Sequence, residues 1–574
     1  MDKKELAEVL EDIATLLEIK GENPFKSNAY RNAARTIETL EKPLEDFQVV
    51  EDFRGLKGIG VSIAEKILTL LKEGRLPYYE QLKASIPSGL IDMLSIPGFG
   101  PKKVRAVYEN LGVSTVGELE YACHENKLVE LAGFGAKTQE NILKGIEYLK
   151  KSQGRFYFHE ALDPARELCA AMQKVGGLKK IEIAGSLRRF NDTVKDIDIL
   201  ASAENPHAVM DAFVSHLLVE SVINRGDTKC SVRLINGINA DLRVVSEPQF
   251  PYALMYFTGS KAHNVALRGR ALKMGYKLNE YGLFPRDSET SEFLGSEKEV
   301  FKKLGLAFIP PELREDRGEL EAAESGSIPR LVEMSDIKGI FHVHTPYSDG
   351  LASIREYADE CLKRGFEYLG VSDHSRSATY ANGLSPERIQ KQGEEIDALN
   401  KKIKNFRIFK GIESDILSDG SLDYPDEVLK NLDFVIASIH SGFKKSKEEM
   451  TRRLIKAIEN PYTTMLGHPT GRLLLAREGY EVDMEEVIRA AAQNGKIIEL
   501  NANPYRFDID WRLIRKAVDS GVLISINPDA HRLDNLDYTF LGAGMARKGW
   551  SEARHIFNTR SAKEVEEYFK KRSG

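Results

Sequence analysis

Short apolar runs alternate with helical stretches between residues 336 and 574, and this alternation limits the possible folds of the chain more than any other feature. The apolar runs, each ending in polar residues, are GIFHVHT, EYLGVSDHS, FRIFKGIES, DFVIASIHS, TTMLGHP, KIIELNAN and VLISINPDAH. Strands that alternate with helices form parallel sheets. We therefore predict a β/α barrel over residues 336–574.

Most histidines of this region stand where the apolar runs end. The chain has 12 histidines, of which seven follow residue 341, and six of those seven lie at strand ends beside small or acidic residues. Because the C-terminal ends of barrel strands converge at one mouth, we expect these histidines and their acidic companions to meet there. The nine residues are His342, His344, Asp349, His374, Glu413, His440, His468, Asp529 and His531.

This mixture of imidazoles and carboxylates predicts a metal site. Zn²⁺, Mn²⁺ and Fe²⁺ suit such ligands better than Mg²⁺ or Ca²⁺ do. A single histidine at a strand end is more often structural, so the argument depends on the six together. Several cations in one site lower the pKa of a bridging water and hold a phosphodiester during attack. The pattern therefore favours hydrolysis of phosphate esters.

A Gly-apolar-Gly pattern followed by an amphipathic helix occurs three times before residue 150. The copies are LKGIGVSIAEKI (56–67), IPGFGPKKVRAVY (96–108) and LAGFGAKTQENIL (131–143), with glycines Gly58, Gly60, Gly98, Gly100, Gly133 and Gly135. The glycines allow a tight turn, and the helix that follows presents free N–H groups. The pattern resembles the helix-hairpin-helix motif, which binds the nucleic-acid backbone through main-chain N–H groups. The alternative is three glycine-rich turns in a helical bundle.

Composition excludes several other classes of protein. The net charge is −6, so a protein that coats nucleic acid by bulk positive charge is excluded, and any binding must use local sites. At 42% hydrophobic and 29% charged, the chain has the balance of a soluble globular protein without a membrane span. The N-terminus predicts an acidic amphipathic helix and not a signal peptide. Four separated cysteines without a CxxC pair fit a reducing cytosol.

The middle of the chain predicts a second metal site. Asp196 and Asp198 lie in the strand-like run KDIDIL, where alternate side chains share a face. Asp241 lies in NADLRVV, which we expect to be the neighbouring strand. Three converging carboxylates suit two Mg²⁺ ions beside substrate phosphates, although a solvated strand end also explains an isolated Asp-x-Asp. The turn at Gly185 and Ser186 predicts a seat for a triphosphate.

The order Gly-Ser-x-Arg-Arg, Asp-x-Asp, Asp-x-Arg and Tyr-Phe-x-Gly-Ser resembles the nucleotidyltransferases of the family X DNA polymerases. The resemblance extends from residue 1 to about residue 315. It implies that Asp196 and Asp198 hold both metals, Mg²⁺ or Mn²⁺, and that Asp241 completes the catalytic site and helps to activate the primer 3′-hydroxyl. It also implies roles at the incoming nucleotide: Gly185, Ser186 and Arg189 at the triphosphate, Tyr256, Phe257 and Gly259 at the sugar, and Asn264 and Arg268 at the base pair and template.

The same resemblance gives Lys66 the position of a lyase nucleophile, which forms a Schiff base with a 5′-deoxyribose phosphate. The supporting lysine expected four residues earlier is Ser62, so this activity stays an open question in the sequence. Lysines on helix faces are commonly solvent charges. Lys261 stands where related enzymes carry an acidic residue, which predicts a different affinity for nucleotides.

Residues 336–574 resemble the polymerase and histidinol phosphatase (PHP) domain. The resemblance implies that the nine histidines and carboxylates hold up to three ions, Mn²⁺ or Zn²⁺. Asp373 neighbours His374 and is expected to support it. Arg376 and Arg472 follow ligand motifs and are expected to steady the substrate phosphate.

We therefore predict a multidomain protein with N-terminal all-α helix-hairpin-helix domains, an α+β palm with a small thumb and a distorted β/α barrel. The predicted ranges are 1–85 (lyase-like helical domain), 86–152 (helix-hairpin-helix domain), 153–250 (palm), 251–315 (thumb), 316–335 (linker) and 336–574 (PHP domain).

The expected function is gap filling in DNA repair by a cytoplasmic monomer that binds gapped or primer-template DNA and deoxynucleoside triphosphates. The barrel is expected to remove nucleotides from 3′ ends and to process blocked 3′ ends and abasic sites. Two alternatives remain. In the first, the barrel is the only active site and the polymerase half is a DNA clamp; in the second, the chain is a DNA-binding scaffold without activity.

Overall fold

The structure is a computed structural model that describes residues 3–38, 40, 42–96, 98–129, 131–150 and 154–572. The chain divides into two compact units, Met1–Leu149 and Lys150–Gly574. The predicted boundary between residues 152 and 153 lies outside the described residues. No helix in the described ranges is long and apolar enough to cross a membrane.

The first unit is helical. Its helices are α1 (Lys3–Ile19), α2 (Pro24–Glu38), α3 (Val61–Glu73), α4 (Pro77–Ala84), α5 (Ser88–Asp92), α6 (Pro101–Leu111), α7 (Val116–His124) and α8 (Ala136–Lys150). One continuous core of buried apolar side chains runs from Leu6 to Ile146. The predicted ranges 1–85 and 86–152 therefore share a single hydrophobic core.

The three glycine-rich turns form as the sequence predicts. Their first glycines, Gly58, Gly98 and Gly133, have φ values of 83°, 75° and 85°, a region that side chains with a Cβ rarely adopt. Gly60 and Gly100 are the N-cap residues of α3 and α6. Each motif thus ends at the N-terminus of a helix, where free backbone N–H groups point outward.

The second unit begins with a palm built on a five-stranded sheet of order β2-β4-β7-β6-β5. A small pair, β1 (Phe156–Tyr157) and β3 (Thr193–Val194), lies beside it. The remaining palm elements are α9 (Phe158–Met172), β2 (Leu178–Ile183), α10 (Gly185–Arg188), β4 (Asp196–Ala203), α11 (Pro206–Val214), β5 (Val219–Arg225), β6 (Lys229–Leu234) and β7 (Asn239–Val245). The parallel pair β4 and β7 places the ends of both strands at the same edge.

A thumb follows the palm. It consists of α12 (Phe250–Thr258), α13 (Lys261–Lys273), β8 (Tyr276–Asn279), β9 (Gly282–Pro285), α14 (Glu297–Lys303) and α15 (Glu319–Glu324). The stretch 316–335, predicted to be a linker, is not an exposed spacer. Ala322, Ala323 and Leu331 are buried in the thumb core, and the buried Glu319 bonds His263 at 2.7 Å. Although this stretch is acidic overall, these apolar side chains pack into the thumb.

The last region is a nearly closed barrel of seven parallel strands in the order β10 to β16, and a parallel bridge joins Val343 of the first strand to Ala530, three residues beyond the end of the last strand. The strands are β10 (Gly339–Val343), β11 (Tyr368–Val371), β12 (Arg407–Asp415), β13 (Phe434–Ser438), β14 (Met465–Leu466), β15 (Ile497–Asn501) and β16 (Ile524–Asn527). The helices are α16 (Ile354–Lys363), α17 (Pro386–Lys402), α18 (Asp426–Leu429), α19 (Lys447–Glu459), α20 (Met484–Gln493), α21 (Trp511–Asp519), α22 (Tyr538–Lys548) and α23 (Ala562–Arg572). The predicted fold class is confirmed.

Candidate active sites

Three carboxylates lie together at the edge of the palm sheet. Asp198 on β4 stands in register with Asp241 on β7, and Asp196 lies two residues before Asp198 on the same face. Burial, together with the charges of Asp196 and Asp241, raises the pKa of Asp198 to about 6. Burial and the charge of Asp241 likewise raise the pKa of Asp196. Such crowding of like charges fits a site for divalent cations, which would neutralise it.

A short turn stands directly against these carboxylates. Gly185 has a φ of 63°, and a Cβ at this position would lie 2.1 Å from Oδ2 of Asp198. Only glycine therefore lets the backbone of Ser186 approach the carboxylates. Arg189, at the end of this turn, donates from Nε to Glu315 at 2.9 Å and from Nη1 to the carbonyl of Thr258 at 2.8 Å. The predicted triphosphate arginine is thus held by the thumb in this conformation.

The predicted sugar and base residues form one cluster where α12 meets α13. The rings of Tyr256 and Phe257 are edge-to-face with centroids 5.2 Å apart. Asn264 donates from Nδ2 to the carbonyl of Tyr256 at 2.6 Å, and a Cβ at Gly259 would lie 2.5 Å from Oδ1 of Asn264. Arg268 is exposed and bonds the carbonyl of Asn264.

Four contacts that the sequence pattern does not indicate support this region. The guanidinium of Arg243 lies 4.5 Å from the ring centroid of Phe257, and Lys229 lies 2.7 Å from the Asp241 carboxylate. Arg188 joins palm to thumb through Thr258 at 2.7 Å and Glu297 at 2.8 Å.

Lys66 lies on α3 of the first unit. Its Nζ donates to Oγ of Ser62 at 2.8 Å and lies 5.1 Å from the ring centroid of Tyr78, which stacks on Tyr30. The residue in the place of the expected lysine is therefore a direct hydrogen-bond partner of the candidate nucleophile.

All nine predicted metal ligands meet at the mouth of the barrel. Groups whose ligand atoms all lie within 4.8 Å of one another are His344, Asp349, His374 and His531; His342, His344 and Asp529; and His374, Glu413 and His440. His468 joins them, because its Nε2 lies 2.9 Å from Oε1 of Glu413. Backbone strain helps to aim the ligands: His342 and Asp529 have φ values of 60° and 51° at the ends of their strands.

The nitrogen and oxygen atoms at the barrel mouth are placed to bind cations rather than to hydrogen-bond with one another. Nδ1 of His374 lies 2.8 Å from Oε2 of Glu413, yet neither atom forms a hydrogen bond of acceptable geometry. Oδ2 of Asp349 is also buried and also lacks a hydrogen bond. Buried polar atoms without hydrogen bonds are costly, and shared cations would satisfy them.

The charged groups at the barrel mouth shift the pKa values of one another. Burial, together with the charges of the neighbouring His531 and His374, lowers the pKa of His344 to about 3. Burial also opposes the charged form of His440, but Glu413 and Asp415 outweigh it and raise that pKa to about 9. The carboxylates therefore hold the excess negative charge that cation binding requires.

Several supporting residues were missed in the sequence. Glu499 accepts from Nδ1 of His342 at 2.6 Å and from the backbone N–H of His468 at 2.7 Å, so it orients two ligands. Asp415 bonds Nδ1 of His440 at 2.8 Å. An acidic residue inside the apolar run KIIELNAN was the available signal for Glu499.

Asp373 does not support His374 as predicted. It accepts from the backbone N–H and the hydroxyl of Thr345, both at 2.7 Å, and from Ser348. Its role is to fix the loop that follows His344 and carries Asp349. Adjacent residues of an extended chain face opposite sides, which explains the difference.

The arginines near the barrel mouth have different surroundings. Arg376 lies 3.3 Å from Asp423, and Arg472 donates to Asp510 and to the carbonyls of Arg506 and Phe507. Arg506, which the sequence analysis did not single out, is 7% exposed and lies 4.0 Å from Oδ2 of Asp529. Of these three arginines, Arg506 is the one that faces the carboxylate of a predicted ligand.

Family models match most of the chain. They are a helix-hairpin-helix domain over residues 1–76, a SAM-like helix-hairpin-helix tandem over 90–147, the DNA polymerase beta thumb over 253–315 and the PHP domain over 341–503.

Known relatives match either the whole chain or about a third of it. The "DNA polymerase/3′-5′ exonuclease PolX" of Bacillus subtilis (strain 168) is 41% identical over 573 residues, which is 100% of this chain and 100% of that protein. A "Probable phosphatase" of Thermoanaerobacter sp. (strain X514) is 33% identical over 201 residues, 33% of this chain and 77% of that protein. A "Probable phosphatase" of Caldanaerobacter subterraneus subsp. tengcongensis is 31% identical over 201 residues, 33% of this chain and 74% of that protein.

Proposed function

Because the chain belongs to the PolX family of DNA polymerase/3′-5′ exonucleases, we propose that it extends DNA 3′ ends in the palm and shortens them in the barrel. The observation that carries the proposal is that both candidate sites are complete. Asp196, Asp198 and Asp241 share one face of the palm sheet, and the nine candidate ligands meet in the barrel.

In the palm, Asp196 and Asp198 would hold two Mg²⁺ or Mn²⁺ ions, with Asp241 as a ligand at the primer end. Those ions supply charge stabilisation at the phosphorus and a lower pKa for the primer hydroxyl. The protein itself would position the carboxylates and the groups that face the triphosphate. Lys229 orients the Asp241 carboxylate, and the turn at Gly185 brings the N–H groups that would face a triphosphate against Asp198.

The thumb would select the nucleotide. The main chain of Tyr256 is fixed by Asn264, which keeps the paired rings of Tyr256 and Phe257 beside Gly259, where the sugar would lie. The exposed Arg268 would contact the template. Deoxynucleoside triphosphates are the substrates that this arrangement fits.

In the barrel, the nine residues would hold up to three Mn²⁺ or Zn²⁺ ions, which supply an activated water and hold a phosphate group. Glu499 and Asp415 fix the orientation of His342 and His440. Arg506 adds a nearly buried positive charge beside Asp529, where the charge of a scissile phosphodiester would accumulate.

The helix-hairpin-helix glycines would bind the DNA backbone. A Cβ at Gly60, Gly100 or Gly135 would have no heavy atom within 4 Å, so the space beside each turn is open to a phosphate. We propose gapped or primer-template DNA as the substrate, a repair role in the cytoplasm and a monomeric state. The lyase role of Lys66 and the processing of blocked 3′ ends and abasic sites belong to the same proposal.

An end-labelled primer in a short DNA gap tests the function. The purified protein with Mn²⁺ should lengthen the primer when deoxynucleotides are present and shorten it when they are absent. Asp198→Ala should remove only the lengthening, and His344→Ala only the shortening. Shortening alone, unchanged in Asp198→Ala, would favour a hydrolase whose polymerase half is a clamp. An untouched primer in both lanes would favour a scaffold.

A further inference from the structure

The palm and the barrel meet at helix α22. The ring of Phe190, at the end of the triphosphate turn, packs against this helix so closely that a Cβ at Gly544 would lie 1.9 Å from a ring carbon. The rings of Phe190 and Phe540 are edge-to-face at 6.0 Å. A barrel helix therefore forms one wall of the loop that holds Arg189.

The last residue of this helix reaches the candidate nucleotide site. Nζ of Lys548 donates to Oε1 of Glu315 at 2.6 Å and to the carbonyl of Arg189 at 2.9 Å. The same Oε1 accepts from Nε of Arg189 at 2.9 Å. One carboxylate oxygen thus serves a cation from the palm and a cation from the barrel. The side chain of Lys548 is 0% exposed and lies 4.5 Å from the ring centroid of Trp511.

We propose that Lys548 of the barrel is a positioning residue for nucleotidyl transfer, because it holds Glu315 when Arg189 turns to an incoming triphosphate. The proposal rests on the role of Arg189 proposed above. Glu315 is only 16% exposed, so leaving it without a cation would be costly. Lys548 removes that cost. Without it, Arg189 would be the main partner of Glu315 and less available to a phosphate.

The chain offers a matched control on the same helix. Arg547, next to Lys548, donates to Glu312 at 2.6 Å and to the carbonyl of Val332 at 3.1 Å. It joins thumb and barrel through an ion pair of similar length, and neither of these two bonds involves Arg189 or Glu315. Loss of Arg547 loosens the same interface without changing the partners of Arg189.

Single-nucleotide insertion into gapped DNA, with kcat and the KM for the deoxynucleotide measured separately, tests the proposal. Lys548→Met should raise KM about 10-fold with kcat within about twofold, the effect of losing about one charged hydrogen bond. Lys548→Arg should restore KM, and Arg547→Met should leave it unchanged. Glu315→Gln should lower KM, since Arg189 is then released. Exonuclease activity without nucleotides serves as the folding control.

Two results would overturn the proposal: an unchanged KM in Lys548→Met, or an equal rise in Lys548→Met and Arg547→Met, which would indicate a loosened interface. Arg189→Ala separates this failure from that of the underlying role. If Arg189→Ala does not raise KM, the triphosphate role is wrong. If the wild type does not insert a nucleotide, the proposed function itself fails.

Discussion

Asp198 on β4 lies directly opposite Asp241 on the parallel strand β7. Two carboxylates in register on neighbouring strands repel each other, and burial adds to the cost of ionising Asp198. The palm thus carries a built-in destabilisation that a bound cation would relieve.

Asp198→Asn should stabilise the metal-free protein while abolishing extension. Because the pKa of Asp198 is raised to about 6, the charged form costs stability above that pH and costs nothing below its ordinary range. We expect a gain of about 1–2 kcal/mol at pH 7.5 that shrinks as the pH falls toward 5. Chemical denaturation in a chelator at both pH values measures it. A gain independent of pH would contradict the explanation.

Glu499→Gln should weaken metal binding in the barrel, because the amide cannot replace a carboxylate that bonds His342 at 2.6 Å. The expected loss of affinity is about 10–100-fold. Competition with a chromophoric chelator gives the dissociation constant, and nucleotide insertion should persist. Glu427→Gln, on the exposed face of α18, is the control. Unchanged metal affinity would mean that Glu499 is only a packing residue.

Arg506→Met should lower exonuclease kcat/KM about 10–100-fold, since a charge close to the scissile phosphate is lost. The metal content, measured by elemental analysis, should stay the same, which separates this effect from loss of a ligand. Arg489→Met, an exposed position on α20, should have the activity of the wild type. Equal activity of both variants would exclude Arg506 from phosphate binding.

Gly100→Ala should weaken DNA binding with little change in stability. Its φ of −76° is ordinary for alanine and its Cβ would enter open space, so the cost is at most about 1 kcal/mol from the poorer N-cap. Gly98→Ala, at φ 75°, should instead lower the melting temperature. Affinity for a gapped duplex and thermal melting distinguish them. Undiminished affinity in Gly100→Ala would mean that DNA does not approach this turn.

The KM for the deoxynucleotide should rise as the pH is raised through about 8. Burial and the charge of Arg189 outweigh the raising effect of Glu315 and Asp192 and lower the pKa of Lys548 to about 8. Above that pH, Lys548 is neutral and no longer holds Glu315, so Arg189 stays bound to it. Lys548→Arg should give a KM without this rise. A rise of the same size in both proteins would assign it to another group.

The sequence predicts that the nine candidate ligands converge, and they do, because strand ends in a parallel barrel meet at one mouth wherever the strands alternate with helices. It failed where the partner lies on another face or far along the chain. Asp373 follows the alternation of an extended chain and turns away from His374. Lys548 and Arg189 are 359 positions apart, so no local pattern indicates their contact. The prediction of a linker over 316–335 was wrong because four buried apolar residues are few against the acidic composition of that stretch.

The contact of Phe190 with Gly544 means that the barrel supports the palm in addition to carrying its own candidate active site. A chain that ended after the thumb would keep the stacking of Phe190 on Phe158 but would expose the part of the ring that packs on Gly544, and the turn would lose its wall. Such a protein would have to replace a missing support as well as a missing nuclease. Selection on extension alone therefore has a mechanical reason to retain the barrel.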